Sequence, residues 1–125
     1  MANDQDTKFI AIVDDDESVQ SALQDLLEAD RLSARCFGSA EEFLESGLQR
    51  KAACLIVDIR MPGMSGLELQ AKLKADRFNI PIIFITAHGD ARVRMHAMRE
   101  GAAEFLVKPF DDQVLLNRVR AALDI

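Results

Sequence analysis

The chain has 125 residues, of which 49% are hydrophobic and 29% charged, and its net charge is −6. This length and composition predict one globular domain, and the excess of acids argues against a nucleic-acid-binding surface, which needs clustered Lys and Arg. The N-terminal stretch MANDQDTK lacks a signal segment and no run reaches the ~18 apolar residues of a membrane span, so we expect a cytoplasmic protein without membrane contact.

Five short apolar runs alternate along the chain with segments of helical periodicity. The runs are FIAIV at 9–13, ARCF at 34–37, ACLIV at 53–57, PIIFI at 81–85 and EFLV at 104–107. Five strands that alternate with five helices predict right-handed crossovers and one parallel sheet covered on both faces. The sequence therefore predicts a doubly wound α/β fold, and the single domain is expected to span 1–125.

Start signals precede several of the predicted helices. Asp16 lies where it would cap the first helix. Ser39 with Glu42 and Ser65 with Glu68 have the spacing of capping boxes at the starts of the second and third helices. These signals predict that each helix begins shortly after a strand ends.

The sulfur-containing residues are interpreted as packing residues. Cys36 and Cys54 lie in apolar runs and show neither zinc-site spacing nor a disulfide framework, so buried reduced thiols are expected. Met95 and Met98 lie on the predicted fourth helix and are also assigned to packing.

Polar residues stand at the carboxyl ends of four of the five strands. Those ends share one edge of an open parallel sheet, so the polar side chains should converge there. Clustered carboxylates repel one another unless a cation lies among them, and oxygen ligands with open positions favour Mg²⁺. A hydroxyl and an ammonium group would complete a cradle for a phosphoryl group, and an aspartate there can act as a nucleophile. The residues are Asp14, Asp15 and Asp16 after the first strand, Asp58 after the third, Thr86 after the fourth and Lys108 after the fifth.

The segments IVDDDES, LIVDIRMPGMSG, FITAHGD and FLVKPF resemble the receiver domain of two-component response regulators over about 9–123. GSAEEFL and TAHGD resemble its FixJ-like branch, whose members often carry a helix-turn-helix output domain. The resemblance implies a flavodoxin-like strand order 2-1-3-4-5 with five helices on two faces. It also implies a phosphoacceptor signalling module that controls an output domain or partner. Such a module is not an enzyme beyond slow self-phosphorylation and self-dephosphorylation, and its phosphoryl donor would be a sensor histidine kinase.

The same resemblance assigns the acceptor and the metal ligands. Asp58 would be the phosphoacceptor. Mg²⁺ would be bound directly by Asp15, Asp58 and the backbone carbonyl of Arg60, whereas Asp14 would act mainly through water.

Three further positions are implied to act on the phosphoryl group or to respond to it. Thr86 and Lys108 would hold the phosphoryl oxygens, and the Lys108–Pro109 peptide would be cis. Thr86 and Phe105 would form the switch, with Phe105 turning inward from an exposed position on activation.

We expect phosphorylation to promote a homodimer or partner binding through the face built by the fourth helix, fifth strand and fifth helix. This expected face includes Val93, Arg94 and Glu104.

Two alternatives remain open. Asp14-x-Asp16 after a strand resembles the nucleophile motif of haloacid-dehalogenase-type phosphohydrolases, in which Thr86 and Lys108 would supply the later motifs. That reading leaves Asp58 without a role, and the chain is short for such a fold with a substrate cap. The second alternative is a receiver-like module that binds partners without being phosphorylated.

Overall fold

A computed structural model describes residues 8–125. The segment 1–7, on which the expected absence of a signal segment and the start of the predicted domain range fall, lies outside the described residues. The elements are β1 (Phe9–Val13), α1 (Glu17–Ala29), β2 (Ala34–Phe37), α2 (Ala40–Glu45), a 3-10 helix (Gln49–Lys51), β3 (Ala52–Asp58), α3 (Gly66–Ala75), β4 (Ile82–Thr86), α4 (Ala91–Arg99), β5 (Glu104–Val107) and α5 (Asp112–Leu123).

The five strands form one parallel sheet in the order β2-β1-β3-β4-β5. The predicted doubly wound fold and strand order are therefore confirmed. Two strand ends differ from the sequence prediction, since β3 and β4 each extend one residue further and end on Asp58 and Thr86. The backbones of both residues are consequently held by strand pairing, Asp58 opposite Ile85 and Thr86 opposite Val107.

Two hydrophobic clusters cover the two faces of the sheet. Alternate strand residues point to opposite faces, so Ala11 and Val13 join one cluster while Ile10 and Ile12 join the other. The first cluster includes residues of α2, α3 and α4, and the second includes residues of α1 and α5. Burial on both faces explains why β1 reads as an unbroken apolar run.

Local side-chain caps fix the starts of α1 and α3. The carboxylate of Asp16 accepts a hydrogen bond from the backbone N–H of Ser18 at 2.9 Å, so the predicted cap is confirmed. Ser65 and Glu68 form the complete predicted capping box, with bonds of 3.1 and 3.0 Å. The start of α3 is thereby set directly after the loop that follows Asp58.

The predicted box at α2 forms only in part. Ser39 accepts from the backbone N–H of Glu42 at 3.0 Å, as expected. The Glu42 carboxylate, however, accepts from the N–H of Gly38 rather than from that of Ser39.

Two packing predictions need correction. Met95 and Met98 are 59% and 37% exposed, because α4 turns these side chains away from the sheet and buries Ala97 instead. Cys54 is buried, and burial raises the pKa of its thiol to about 12, whereas Cys36 is only half-buried. Among residues 8–125 we find no helix with the length and apolar character needed to cross a membrane.

Candidate functional site

Three carboxylates converge at the carboxyl edge of the sheet. Asp14 and Asp15 follow β1, and Asp58 ends β3, the strand paired with β1. One carboxylate oxygen from each residue lies within 4.8 Å of the others. The sheet thus brings together Asp14 and Asp58, which lie 44 positions apart in the sequence.

Asp14 is the buried member of this acidic cluster, with 1% of its surface exposed. Its Oδ1 accepts the backbone N–H of Asp16 at 2.9 Å. Its Oδ2 is buried without a hydrogen-bond partner among the described residues. A buried carboxylate oxygen without a donor is costly, and a bound cation would satisfy it.

Asp58 is half-buried beside the loop that leads to α3. Its Oδ1 accepts the backbone N–H of Arg60 at 3.3 Å. This contact holds the backbone of Arg60 next to the carboxylates. The placement is compatible with the expected use of the Arg60 carbonyl as a ligand.

Burial raises the pKa of Asp14 and Asp58 above the usual aspartate range. Desolvation is the largest cause for both residues, and repulsion from neighbouring carboxylates adds to it. The positive charge of Lys108 acts in the opposite direction and lowers both pKa values. Lys108 is therefore close enough to the cluster to interact electrostatically.

Thr86 and Lys108 occupy neighbouring strand ends. The hydroxyl of Thr86 accepts the backbone N–H of His88 at 3.1 Å and donates to the His88 carbonyl at 3.3 Å. The backbone N–H of Lys108 donates to the carbonyl of Thr86 at 2.8 Å. The Lys108–Pro109 peptide is cis, as the resemblance implied.

Phe105 differs from its expected position. The side chain is 4% exposed and already belongs to the core, so the expectation of an exposed ring is wrong for this structure. Phe105 pairs with Phe84 across β4 and β5, and both face the side of the sheet that α4 covers.

Two supporting contacts were missed at the sequence level. The amide of Gln20 in α1 donates to the backbone carbonyl of Asp14 at 2.6 Å. The carboxylate of Glu41 in α2 accepts the backbone N–H of Met64 at 2.9 Å, in the loop after β3. Neither pairing has a sequence signal, because the partners are brought together by the packing of helices against the sheet.

The acidic cluster fits a magnesium ion. The donors are oxygens only, they are few, and one of them is a buried atom without a partner. Mg²⁺ is typically bound by one or two carboxylates and keeps several water ligands, which matches such an incomplete set. The structure thus offers a cation site beside a hydroxyl and an ammonium group.

A family model and the relatives found by sequence comparison indicate the same protein family. The family model of the response regulator receiver domain matches residues 10–120. The response regulator protein TmoT of Ectopseudomonas mendocina is 46% identical over 98% of this chain and 56% of its own length. The transcriptional regulatory protein FixJ of Azorhizobium caulinodans is 42% identical over 91% of this chain and 54% of its own length. The chain therefore spans about half the length of these curated relatives.

A solved structure shows the same fold. The crystal structure of FixJ-N superimposes with a TM-score of 0.85 and 37% sequence identity, covering 99% of this chain and 96% of the other.

Proposed function

The chain belongs to the receiver-domain family of two-component response regulators, and from this premise we propose that Asp58 accepts a phosphoryl group from a sensor histidine kinase in a Mg²⁺-dependent reaction. The observation that carries this proposal is the convergence of three carboxylates within 4.8 Å beside Thr86 and Lys108. The receiver identity makes this chain a signalling domain, and we propose that its own chemistry is limited to slow self-phosphorylation and self-dephosphorylation.

Asp58 is the proposed nucleophile because it is half-buried at the end of β3 and its carboxylate lies within 4.8 Å of those of Asp14 and Asp15. In the transfer, a carboxylate oxygen of Asp58 attacks phosphorus and forms a P–O bond. The P–N bond to the donor imidazole breaks, and the imidazole nitrogen keeps the electron pair.

The neighbouring side chains would bind the metal and the phosphoryl oxygens. Asp15, Asp58 and the Arg60 carbonyl would hold Mg²⁺ directly, with Asp14 linked through water. The bound ion would neutralise charge on the transferring phosphoryl group. Lys108 would contribute a second positive charge, and the Thr86 hydroxyl would exchange its contact with His88 for a phosphoryl oxygen.

An apolar groove beside the site suits the kinase. It has a volume of about 380 Å³ and runs between α1 and the segment after β5. Lys108 lines this groove and also acts on the carboxylates, so a partner bound there would be adjacent to Asp58. We propose that the sensor kinase packs on this groove with its phosphorylated histidine next to Asp58. The groove is lined by Val19, Ala22, Leu26, Pro109 and Phe110 among others.

Labelling with a small donor tests the acceptor. Acetyl phosphate with Mg²⁺ should add one phosphoryl group that is lost in strong base or hydroxylamine, as an acyl phosphate would be. Asp58→Asn should abolish labelling, whereas Glu45→Ala, an exposed change on α2, should not alter it. Intact labelling of Asp58→Asn would contradict the proposal, whereas a wild type that takes up no phosphoryl group would favour a receiver-like module that binds partners without phosphorylation.

The phosphohydrolase alternative makes the opposite prediction. It requires Asp14 as the nucleophile, so Asp14→Asn would abolish labelling while Asp58→Asn would be mild. The structure weakens this alternative, because Asp16 caps α1 through Ser18 and is exposed rather than directed at the site.

We further propose that residues 1–125 form one receiver domain that acts in the cytoplasm. The described part has a continuous core on both sheet faces, and the family model covers most of the chain.

A further inference from the structure

The carboxylate of Glu41 joins α2 to the loop that follows the proposed phosphoacceptor. Its Oε2 accepts the backbone N–H of Met64 at 2.9 Å. That hydrogen bond lowers the pKa of Glu41, so the carboxylate is charged at neutral pH and the bond is charge-assisted. Its Oε1 is buried and has no hydrogen-bond partner among the described residues.

The loop approaches this carboxylate closely at Gly63. A Cβ at Gly63 would lie 2.5 Å from the Glu41 Oε2, and the φ angle of Gly63 is +77°, a region that favours glycine. The absence of a side chain at Gly63 therefore leaves room for the Glu41 carboxylate beside the loop.

The segment between Asp58 and Met64 is attached at both of its ends. At its start, the N–H of Ile59 donates to the carbonyl of Ile85 at 3.3 Å, and the N–H of Gly66 closes the base of the loop on the Ile59 carbonyl at 2.9 Å. Near its far end, Met64 is held by Glu41. Arg60, whose carbonyl is a proposed metal ligand, lies between these attachments.

We propose that Glu41 is a positioning residue for the metal site: by fixing Met64 it holds the loop so that the Arg60 carbonyl faces the acidic cluster before Mg²⁺ binds. This role rests on the proposed function of Asp58 and Mg²⁺. Residues that support metal ligands from outside the ligand set commonly change metal affinity when removed. A loop that must first be ordered binds the ion less tightly, because the ordering entropy is lost at that step.

Three variants test the role of the Glu41 carboxylate. Glu41→Ala removes the acceptor, Glu41→Gln keeps an oxygen that can accept from Met64, and Glu45→Ala removes an exposed acid from the same helix. In metal-free protein, the hydrogen-exchange rate of the Met64 amide reports directly on its hydrogen bond to Glu41. Calorimetric titration with Mg²⁺ then measures the effect on the metal site.

We expect Glu41→Ala to speed exchange of the Met64 amide and to weaken Mg²⁺ binding by about tenfold, the low end of the range for residues that support ligands. Glu41→Gln should be intermediate, with a Mg²⁺ affinity within about threefold of the wild type, because a neutral acceptor keeps about half the strength of a charge-assisted hydrogen bond. Glu45→Ala should match the wild type. If Glu41→Ala does not fold, Glu41→Met, which keeps side-chain volume without an acceptor, replaces it.

Two results would overturn the positioning role of Glu41 and leave the proposed function of Asp58 intact. One is wild-type Mg²⁺ affinity in Glu41→Ala, whether or not the Met64 amide exchanges faster. The other is a Glu41→Gln variant as impaired as Glu41→Ala. A wild-type chain that binds no Mg²⁺ would instead overturn the proposed function, and the positioning role with it.

Discussion

Asp15 is the exposed member of the acidic cluster, and its proposed role is that of a direct metal ligand. An ion that binds only the native state raises the free energy of unfolding, by about 2.7 kcal/mol when its concentration is 100 times the dissociation constant. Asp15→Ala should lose this Mg²⁺-dependent stabilisation, which thermal melts with and without Mg²⁺ would measure. An unchanged Mg²⁺ response would contradict the ligand assignment.

The raised pKa values of Asp14 and Asp58 predict how metal-free stability depends on pH. Because burial raises both pKa values in the folded state, the folded protein holds these protons more tightly than the unfolded chain does. The free energy of unfolding should therefore fall as pH rises from the unfolded value of 3.8 through the raised folded values.

Asp14→Asn tests this dependence because it keeps an oxygen for the N–H of Asp16 but cannot ionise. In EDTA, the variant should gain stability relative to the wild type as pH rises from about 4 to about 7. Denaturant unfolding at several pH values would measure the difference. A difference that is independent of pH would contradict the prediction.

The start of α3 is packed directly against the backbone of the proposed phosphoacceptor. A Cβ on Gly66 would collide with the carbonyl oxygen of Asp58 and approach the Cα of Ile59 at 3.1 Å. Glycine is required here because the helix begins where the loop turns back over the end of β3.

Gly66→Ala should lower stability by about 1–3 kcal/mol, as expected when a well-packed site is overfilled. It should also slow acetyl-phosphate labelling, since the displaced atom belongs to Asp58. Gly47→Ala is the matched control: Gly47 has a φ of +71° but open space around its Cβ position, so it should cost stability without slowing labelling of folded protein. Equal labelling rates in the two variants would show that Gly66 serves stability alone.

The alternation of apolar runs and helical segments was sufficient to predict how strands and helices follow one another along the chain. The order of the strands within the sheet came from the resemblance. Asp14 and Asp58 could be placed together because carboxyl ends of parallel strands share one edge. Glu41 could not be placed, because its contact with Met64 depends on how α2 packs against the loop after β3. The packing prediction for Met95 is wrong because helical periodicity identifies the apolar face of α4 but does not show how much of that face the sheet covers.

The surface formed by α4, β5 and α5 carries four of the five large hydrophobic residues that are exposed within residues 8–125. Val93, expected on this surface, instead packs partly against the core, and Glu104 forms an ion pair with Arg118 at 2.8 Å. Exposed apolar residues clustered on one face favour an interaction surface. The four residues are Met95, Met98, Val107 and Val114.

A route from the phosphoryl site to this surface passes through Thr86. Its hydroxyl is bonded to the backbone of His88, and α4 begins three residues later at Ala91. If Thr86 turned toward a phosphoryl oxygen, both contacts with His88 would break and the segment before α4 would be released. Phosphorylation would then shift the equilibrium between two positions of α4, and the size of that shift is set by the difference in free energy of the Thr86 contacts in the two states.

We therefore predict a phosphorylation-dependent homodimer through α4, β5 and α5. Sedimentation of the wild type should show a monomer without a phosphoryl mimic and a dimer with Mg²⁺ and beryllofluoride. Met95→Lys should weaken the dimer by about tenfold or more, because it places a charge in the apolar contact. Thr86→Ala, with beryllofluoride binding verified by fluorine NMR, should show no such rise in dimerisation, because a chain without the hydroxyl has no side-chain contact with His88 for the mimic to break. A wild type that stays monomeric at high concentration in both states would rule out the homodimer. A Thr86→Ala variant whose dimerisation rises on activation as much as that of the wild type would show that the coupling follows another route.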